Sequence, residues 1–242
     1  MPEGRSGDDQ AGERVVVKHP GRILDLASMP FETAWDHQRV LVEERIKGSC
    51  PDTLLIVEHD SVFTMGRRTK AQHWHKLTTS SLEENFPTYV IERGGSVTFH
   101  GPGQIVVYPI IRLHEYCRGP KAYVGQLQEV IVRVLAEWDI SGRIREKFPG
   151  VWVKNAWASF EKIAAIGVRI TKGVTMHGLA LNANVDLKPF ALITPCGIEG
   201  CVVTSMKECL HRRVDEEHVK ARFIHHFAEV FGITWVERRT TW

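Results

Sequence analysis

The sequence has no apolar run near the roughly 20 residues that a bilayer span requires. Its first 14 residues, MPEGRSGDDQAGER, are polar and mix both charges, with no apolar signal core. A cytoplasmic protein with no membrane partner is expected. Cysteine is scarce, at positions 50, 117, 196, 201 and 209 of 242, and no two form a C-x-x-C pair. That argues against a disulfide scaffold and a zinc ribbon, and no metal site is expected. The net charge is only +2, which leaves no field strong enough to imply nucleic acid as a partner. The chain also lacks a G-K-[ST] phosphate loop, an internal repeat, and any Pro/Gly-rich linker that would divide it.

What is present points to one core. With 43% apolar and 25% charged residues, 242 residues bury one sizeable core. Residues 1–14 are expected to be a disordered tail and 15–242 a single domain. The runs TLLIVEH (53–59) and QIVVYPII (104–111) are short and rich in branched residues, as buried strands are. Apolar residues at helical spacing predict helices over 31–47, stopped by Gly48, and about 122–138. A third is predicted over about 216–231, with Asp215 as its cap and Gly232 at its end. An α/β (α+β) fold follows, its aromatic stripes serving core packing.

Three glycine-punctuated segments carry the chemistry. In ERGGSVTFHGPGQ, Gly94, Gly95, Gly101 and Gly103 tolerate unusual dihedrals and leave room against bare backbone. A strand follows them where a dinucleotide fingerprint needs a helix. The segment reads equally as a hairpin corner or as a site, and Arg93 and His100 beside it are by themselves ordinary solvated residues.

The second segment, EKIAAIGVRITKGVTMHGLALN, reads as a strand, a turn within RITKGVT, and a second strand. Alternation puts Lys162, Ala164, Ile166, Val168 and Ile170 on one face and Ile163, Ala165 and Gly167 on the other. Both faces are apolar, so Lys162 must snorkel from a strand end, pair with an anion, or lose its proton. Gly178 and Ala180 are small enough to let a ligand chain pass.

The third segment is ITPCGIEGC, 193–201. A thiol beside a cation favours its nucleophilic thiolate, and Lys162 is a candidate cation for Cys196. The flanking Pro195 and Gly197 suit an exposed turn, although a cysteine is more often a small hydrophobe. That plainer role is assigned to Cys50, Cys117, Cys201 and Cys209.

The runs RGGSVTFHGPGQ, GVW (150–152), KIAAIGVRI, HGLALN and PCGI, in this order, resemble the octanoyl-carrier-protein:protein N-octanoyltransferases of lipoate biosynthesis. The resemblance spans roughly 54–210. It implies the catalytic module of biotin and lipoate protein ligases, a mixed β-sheet layer flanked by helices, with 15–242 as the octanoyltransferase domain. It further implies that Cys196 takes an octanoyl group from octanoyl-acyl carrier protein as a thioester and passes it to a lysine of a lipoyl domain. The acceptors would be the E2 subunits of 2-oxoacid dehydrogenases and the glycine cleavage H protein. Lys162 would activate the thiol. Substrate-binding segments would be Arg93, Gly94, Gly95, Ser96, Val97, Thr98, Phe99 and His100, then Ala165, Ile166 and Gly167, then Gly178, Leu179 and Ala180. No cofactor is implied.

Two departures stand out: HDSVFTMG (59–66) lacks the family's proline, and KNAWASFEK lengthens the approach to Lys162. Arg67 and Arg68 are candidates for docking an acidic carrier, and His177 and His100 are the alternative activators of Cys196. The competing readings are an ATP-dependent lipoate or biotin protein ligase and a non-catalytic lipoyl-domain or acyl-chain binding module.

Overall fold

The computed structural model describes residues 19–74 and 86–240. The expected tail at 1–14 lies outside the described residues. In chain order the elements are β1 (His19–Ser28), α1 (Phe31–Lys47), β2 (Asp52–Glu58), β3 (Val62–Met65), β4 (Thr88–Val90), β5 (Val97–His100), β6 (Gln104–Ile110) and α2 (Pro120–Ala136). They continue as β7 (Arg143–Arg145), β8 (Phe148–Lys154), β9 (Phe160–Thr171), β10 (Val174–Asn182), β11 (Val202–Val203), α3 (Met206–Leu210), α4 (Glu216–Phe231) and β12 (Ile233–Arg239).

The helix ends follow local chemistry. Gly48 ends α1 in the left-handed conformation with its N–H on the Arg45 carbonyl. Pro120 opens α2, two residues before the predicted start, because a proline at the first helical position sacrifices no hydrogen bond. The Asp215 carboxylate accepts the Glu217 and His218 N–H groups at the start of α4, and Gly232 closes it.

A nine-stranded mixed sheet runs β12-β1-β2-β6-β10-β9-β8-β7, with β11 pairing β9. Helices cover both faces. On one, Leu127, Val130, Val134, Phe223 and Phe227 of α2 and α4 pack against Leu54, Val107, Ile163, Ala164 and Leu181. On the other, Leu41 and Val42 of α1 pack against Leu55, Val57, Val106 and Ala180. A small sheet, β4-β3-β5, stands beside the α1 face. β5 pairs with β3 and β6 with β2 and β10, so Gly101–Gly103 form a corner between two sheets rather than a hairpin. The predicted turn joins β9 to β10 through Lys172 and Gly173, both at positive φ, as a two-residue hairpin requires. No helix of the described residues is long and apolar enough to cross a membrane.

Candidate active site

β9 and β10 form the wall of a cavity of about 330 Å³. Ala165 pairs with Ala180 and Gly167 with Gly178. The predicted alternation fails at Lys162. Opposite β9, Val151 faces Ala164, but the next residue, Trp152, faces Lys162, so Ile163 is an extra residue and makes a β-bulge. Ile163 joins Ala164 in the core under α2 and α4, and Lys162 turns to the cavity with Ala165 and Gly167. Nor does Lys162 snorkel: it is 3% exposed.

Its ammonium instead meets Cys196. Lys162 Nζ lies 2.9 Å from Cys196 Sγ and 5.1 Å from the Trp152 ring centroid. Gly150, at φ 116°, backs the lysine stem; a Cβ there would stand 2.6 Å from Lys162 Cε. Cys196 sits in a tight turn, Pro195–Gly197, with φ of 58°, and Gly197 follows at 67°. A cysteine in the left-handed region costs about 1–2 kcal/mol, a strain the surroundings must hold. Gly197 N–H donates to the Thr194 carbonyl (2.9 Å) and Thr194 N–H to the His73 carbonyl (2.8 Å).

His73 was not singled out by sequence reasoning, since it lies 123 positions from Cys196 in a loop. Its ring lies against Gly197, where a Cβ would stand 2.7 Å from Cε1. Nδ1 receives the Lys70 N–H at 3.2 Å and meets Ser96 Oγ at 2.6 Å, which leaves the ring proton on Nε2. His73 also lines the cavity. It is the imidazole at the turn of Cys196; His100 and His177 line the cavity as well.

Arg93 and His100 are buried, at 8% and 7% exposure, rather than solvated as expected. The Arg93 guanidinium donates to the Thr64 carbonyl (2.7 Å) and the Gly94 carbonyl (3.0 Å). Burial pushes it down to about 10, so it stays charged at neutral pH. Gly66 and Gly95 lie around its Nη1, with built Cβ atoms at 2.8 and 3.2 Å, and Gly167 lies against its Cδ at 3.1 Å. The room expected against bare backbone at Gly95 is filled by this arginine, which also covers Gly167. At Gly178 it is filled by the Val107 carbonyl, 2.1 Å from a built Cβ.

Phe31, His100, Tyr108 and His177 also line the cavity. His59 supports it from behind, donating Nδ1–H to the Met29 carbonyl and accepting the Tyr108 hydroxyl at Nε2, both at 2.8 Å. His100 donates Nδ1–H to Gln104 Oε1 at 2.7 Å. Burial pushes His59 down to about 4 and His100 down to about 3, so both are neutral near pH 7. Ser96 and Thr98 also border the cavity, whereas Val97 and Phe99 point into the small apolar cluster with Phe63 and Phe190. Burial pushes up the thiols of Cys50, Cys117, Cys201 and Cys209, Cys201 to about 11, which disfavours their reactive form.

The chain has counterparts among known proteins, in sequence and in fold. Residues 30–228 match the model of the lipoyl protein ligase A/B catalytic domain. The chain belongs to this family. It is 41% identical to an octanoyltransferase of Thermobifida fusca over 90% of this chain and 92% of that one. An octanoyltransferase of Roseiflexus sp. is also 41% identical, over 87% of each. Among solved structures, the fold is similar to that of a bipartite lipoate protein ligase of Thermoplasma acidophilum, with a TM-score of 0.67, 16% identity and coverage of 92% of this chain and 88% of that one. A lipoate-protein ligase A bound with ATP superposes with a TM-score of 0.63 at 17% identity, covering 91% and 90%. The expected lipoate-ligase-type α+β module is therefore the fold of this family member.

Within the family frame, KNAWASFEK is the β8–β9 turn. Asn155 Oδ1 accepts the Trp157 and Ser159 N–H groups, each at 3.0 Å, and holds the turn with Trp157 85% exposed. The turn projects beyond Lys162, away from Ala165 and Gly167.

Proposed function

We propose that this protein is an octanoyltransferase that moves an octanoyl group from octanoyl-acyl carrier protein, by way of Cys196, to a lysine of a lipoyl domain. The 2.9 Å contact between Lys162 Nζ and Cys196 Sγ inside the cavity carries the reading. The relatives named octanoyltransferase support the acyl group. The acceptors on this reading are the lipoyl domains of 2-oxoacid dehydrogenase E2 subunits and the glycine cleavage H protein, in the cytoplasm.

The Cys196 thiolate attacks the thioester carbonyl carbon. The tetrahedral intermediate collapses by breaking the bond to the donor sulfur, which leaves as a thiol with a proton from the Lys162 ammonium. Lys162 is then neutral and takes one proton from the incoming acceptor ammonium, freeing its lone pair. The amine attacks the acyl-enzyme, the carbon–Cys196 sulfur bond breaks, and the second proton goes to solvent. An amide has formed and the thiolate–ammonium pair is restored. Thioester to amide is downhill, so the sequence balances without ATP.

On this reading Arg93, Gly94, Gly95, Ser96, Thr98 and His100 shape one wall around the substrate. Ala165, Ile166, Gly167, Gly178, Leu179 and Ala180 give the acyl chain its opposite wall, each buried CH₂ contributing about 0.8 kcal/mol. Intact-mass spectrometry after mixing with octanoyl carrier protein, with no ATP or Mg²⁺, tests the proposal. One octanoyl adduct per chain, mapped to Cys196 and discharged by a lipoyl domain, is expected. A chain that stays unmodified until ATP is added would sink it in favour of a ligase.

A further inference from the structure

Among the described residues the cavity is lined by five cationic side chains, Arg68, Lys70, Arg93, Lys147 and Lys162, and by no aspartate or glutamate. Two of the five are committed inside, Lys162 to Cys196 and Arg93 to Thr64 and Gly94. The other three are exposed and make no ion pair among the described residues. They stand on two separate segments: Arg68 and Lys70 on the loop after β3, and Lys147 on the β7–β8 turn. The first loop is pinned, its Arg67 and Arg68 N–H groups donating to the Arg93 and Gly95 carbonyls, each at 3.0 Å. The backbone that carries Arg68 at this mouth is therefore fixed to the wall of the cavity.

A neutral hydrocarbon chain makes no use of these cations, and gathering three of one sign costs repulsion. Their use lies with the part of a substrate that stays outside the acyl channel. With the chain along Ala165 and Ala180 and the thioester at Cys196, the thiol half of the ester leads out through the mouth. There a charged group on that thiol arm meets three donors and, among the described residues, no competing carboxylate.

We propose that Arg68, Lys70 and Lys147 form a phosphate subsite for the thiol arm of the acyl donor. The inference rests on the acyl-transfer reading and adds to it a ligand group and the side chains that take it. Arginine and lysine suit a phosphate as fork and point charge respectively. The phosphate has two sources, the phosphopantetheine arm of a carrier protein and the same arm in a free coenzyme A thioester.

Acyl-enzyme formation by the full-length protein, followed by mass spectrometry, separates the cases. Four donors are compared: S-octanoyl-pantetheine, which lacks phosphate, S-octanoyl-4′-phosphopantetheine, octanoyl-coenzyme A and octanoyl carrier protein. The phosphorylated arm is expected to react about tenfold faster than pantetheine, as one charge-assisted contact allows. In the R68Q/K70Q/K147Q variant that ratio should collapse toward one. Coenzyme A matching the carrier would assign both sources to the subsite, and carrier alone exceeding phosphopantetheine would add protein contacts to it. A wild-type ratio of one, with only the intact carrier favoured, overturns the subsite and leaves a protein-docking surface; a ratio that survives the triple substitution overturns it as well. No acyl-enzyme from any of the four would instead remove the acyl-transfer reading itself.

Discussion

Lys162 Nζ and Cys196 Sγ, 34 positions apart in sequence, are brought to 2.9 Å by β9 and the turn after Pro195. The lysine is 3% exposed and has a tryptophan ring and the sulfur as its neighbours. On the proposed reading the two are counter-ions, and removing either leaves a buried partner uncompensated, which ties the residues energetically as well as chemically.

Cys196→Ala is expected to abolish the octanoyl adduct while the fold is retained. Lys162→Arg keeps a cation but no group that gives up a proton near neutral pH, so iodoacetamide alkylation at pH 7 should persist and transfer to the acceptor lysine should fail. Lys162→Met should lose both, alkylation by roughly tenfold or more. Unchanged alkylation and transfer with Met would free Cys196 from the lysine.

His73 acts by holding the turn of Cys196. His73→Ala should lower the rate of acyl-enzyme formation about tenfold, with the loss in kcat rather than KM, because the sulfur's placement is disturbed and not the channel. His73→Asn, which offers an oxygen to the Lys70 N–H, should recover much of it. Equal losses in the two variants would mean that the imidazole has a chemical role.

Gly167→Ala puts a Cβ 2.9 Å from the Gly94 carbonyl and 3.1 Å from Arg93 Cδ. Overpacking of this kind costs about 1–3 kcal/mol, to be read as a lower urea midpoint. Activity should fall with it, since Arg93 is displaced from the cavity wall. An alanine accepted with no loss of either would show the arginine has slack.

Acid should unfold the protein through His59 and His100. Both are buried neutral, near 4 and 3, against 6.5 for a free imidazole. The unfolded chain therefore binds protons that the native state refuses, so the stabilisation is complete above about pH 6.5 and is lost as pH falls toward 4. Between pH 7.5 and 5 the loss is about 2 kcal/mol for each imidazole. A urea midpoint that is independent of pH over this range, or equally dependent after His59→Gln, would refute it.

The three long helices were legible to within two residues because their ends are written locally, in Gly48, Pro120, Asp215 and Gly232, whereas the short α3 was not foreseen. The α+β class followed. What the sequence hid is set by partners distant in the chain. A bulge depends on the strand opposite, so alternation alone put Lys162 on the wrong face. Arg93 and His100 look like surface residues until the Thr64 and Gln104 side chains are placed beside them. The glycines at 95, 167 and 178 advertise space but not its occupant. His73 carries no motif of its own; only the fold lays it on Gly197.

The extra residue at Ile163 makes reactivity a matter of parity. Were β9 to pair regularly through Ile163, with no bulge, every side chain on the Phe160 side would swap faces, and the ammonium would point under α2. Length changes are absorbed at the tip around Trp157, beyond the last β8–β9 pair, Lys154 with Phe160. Two chains identical in every wall residue of the cavity, differing only in whether β9 bulges between Lys162 and Ala164, would share a fold and not a chemistry.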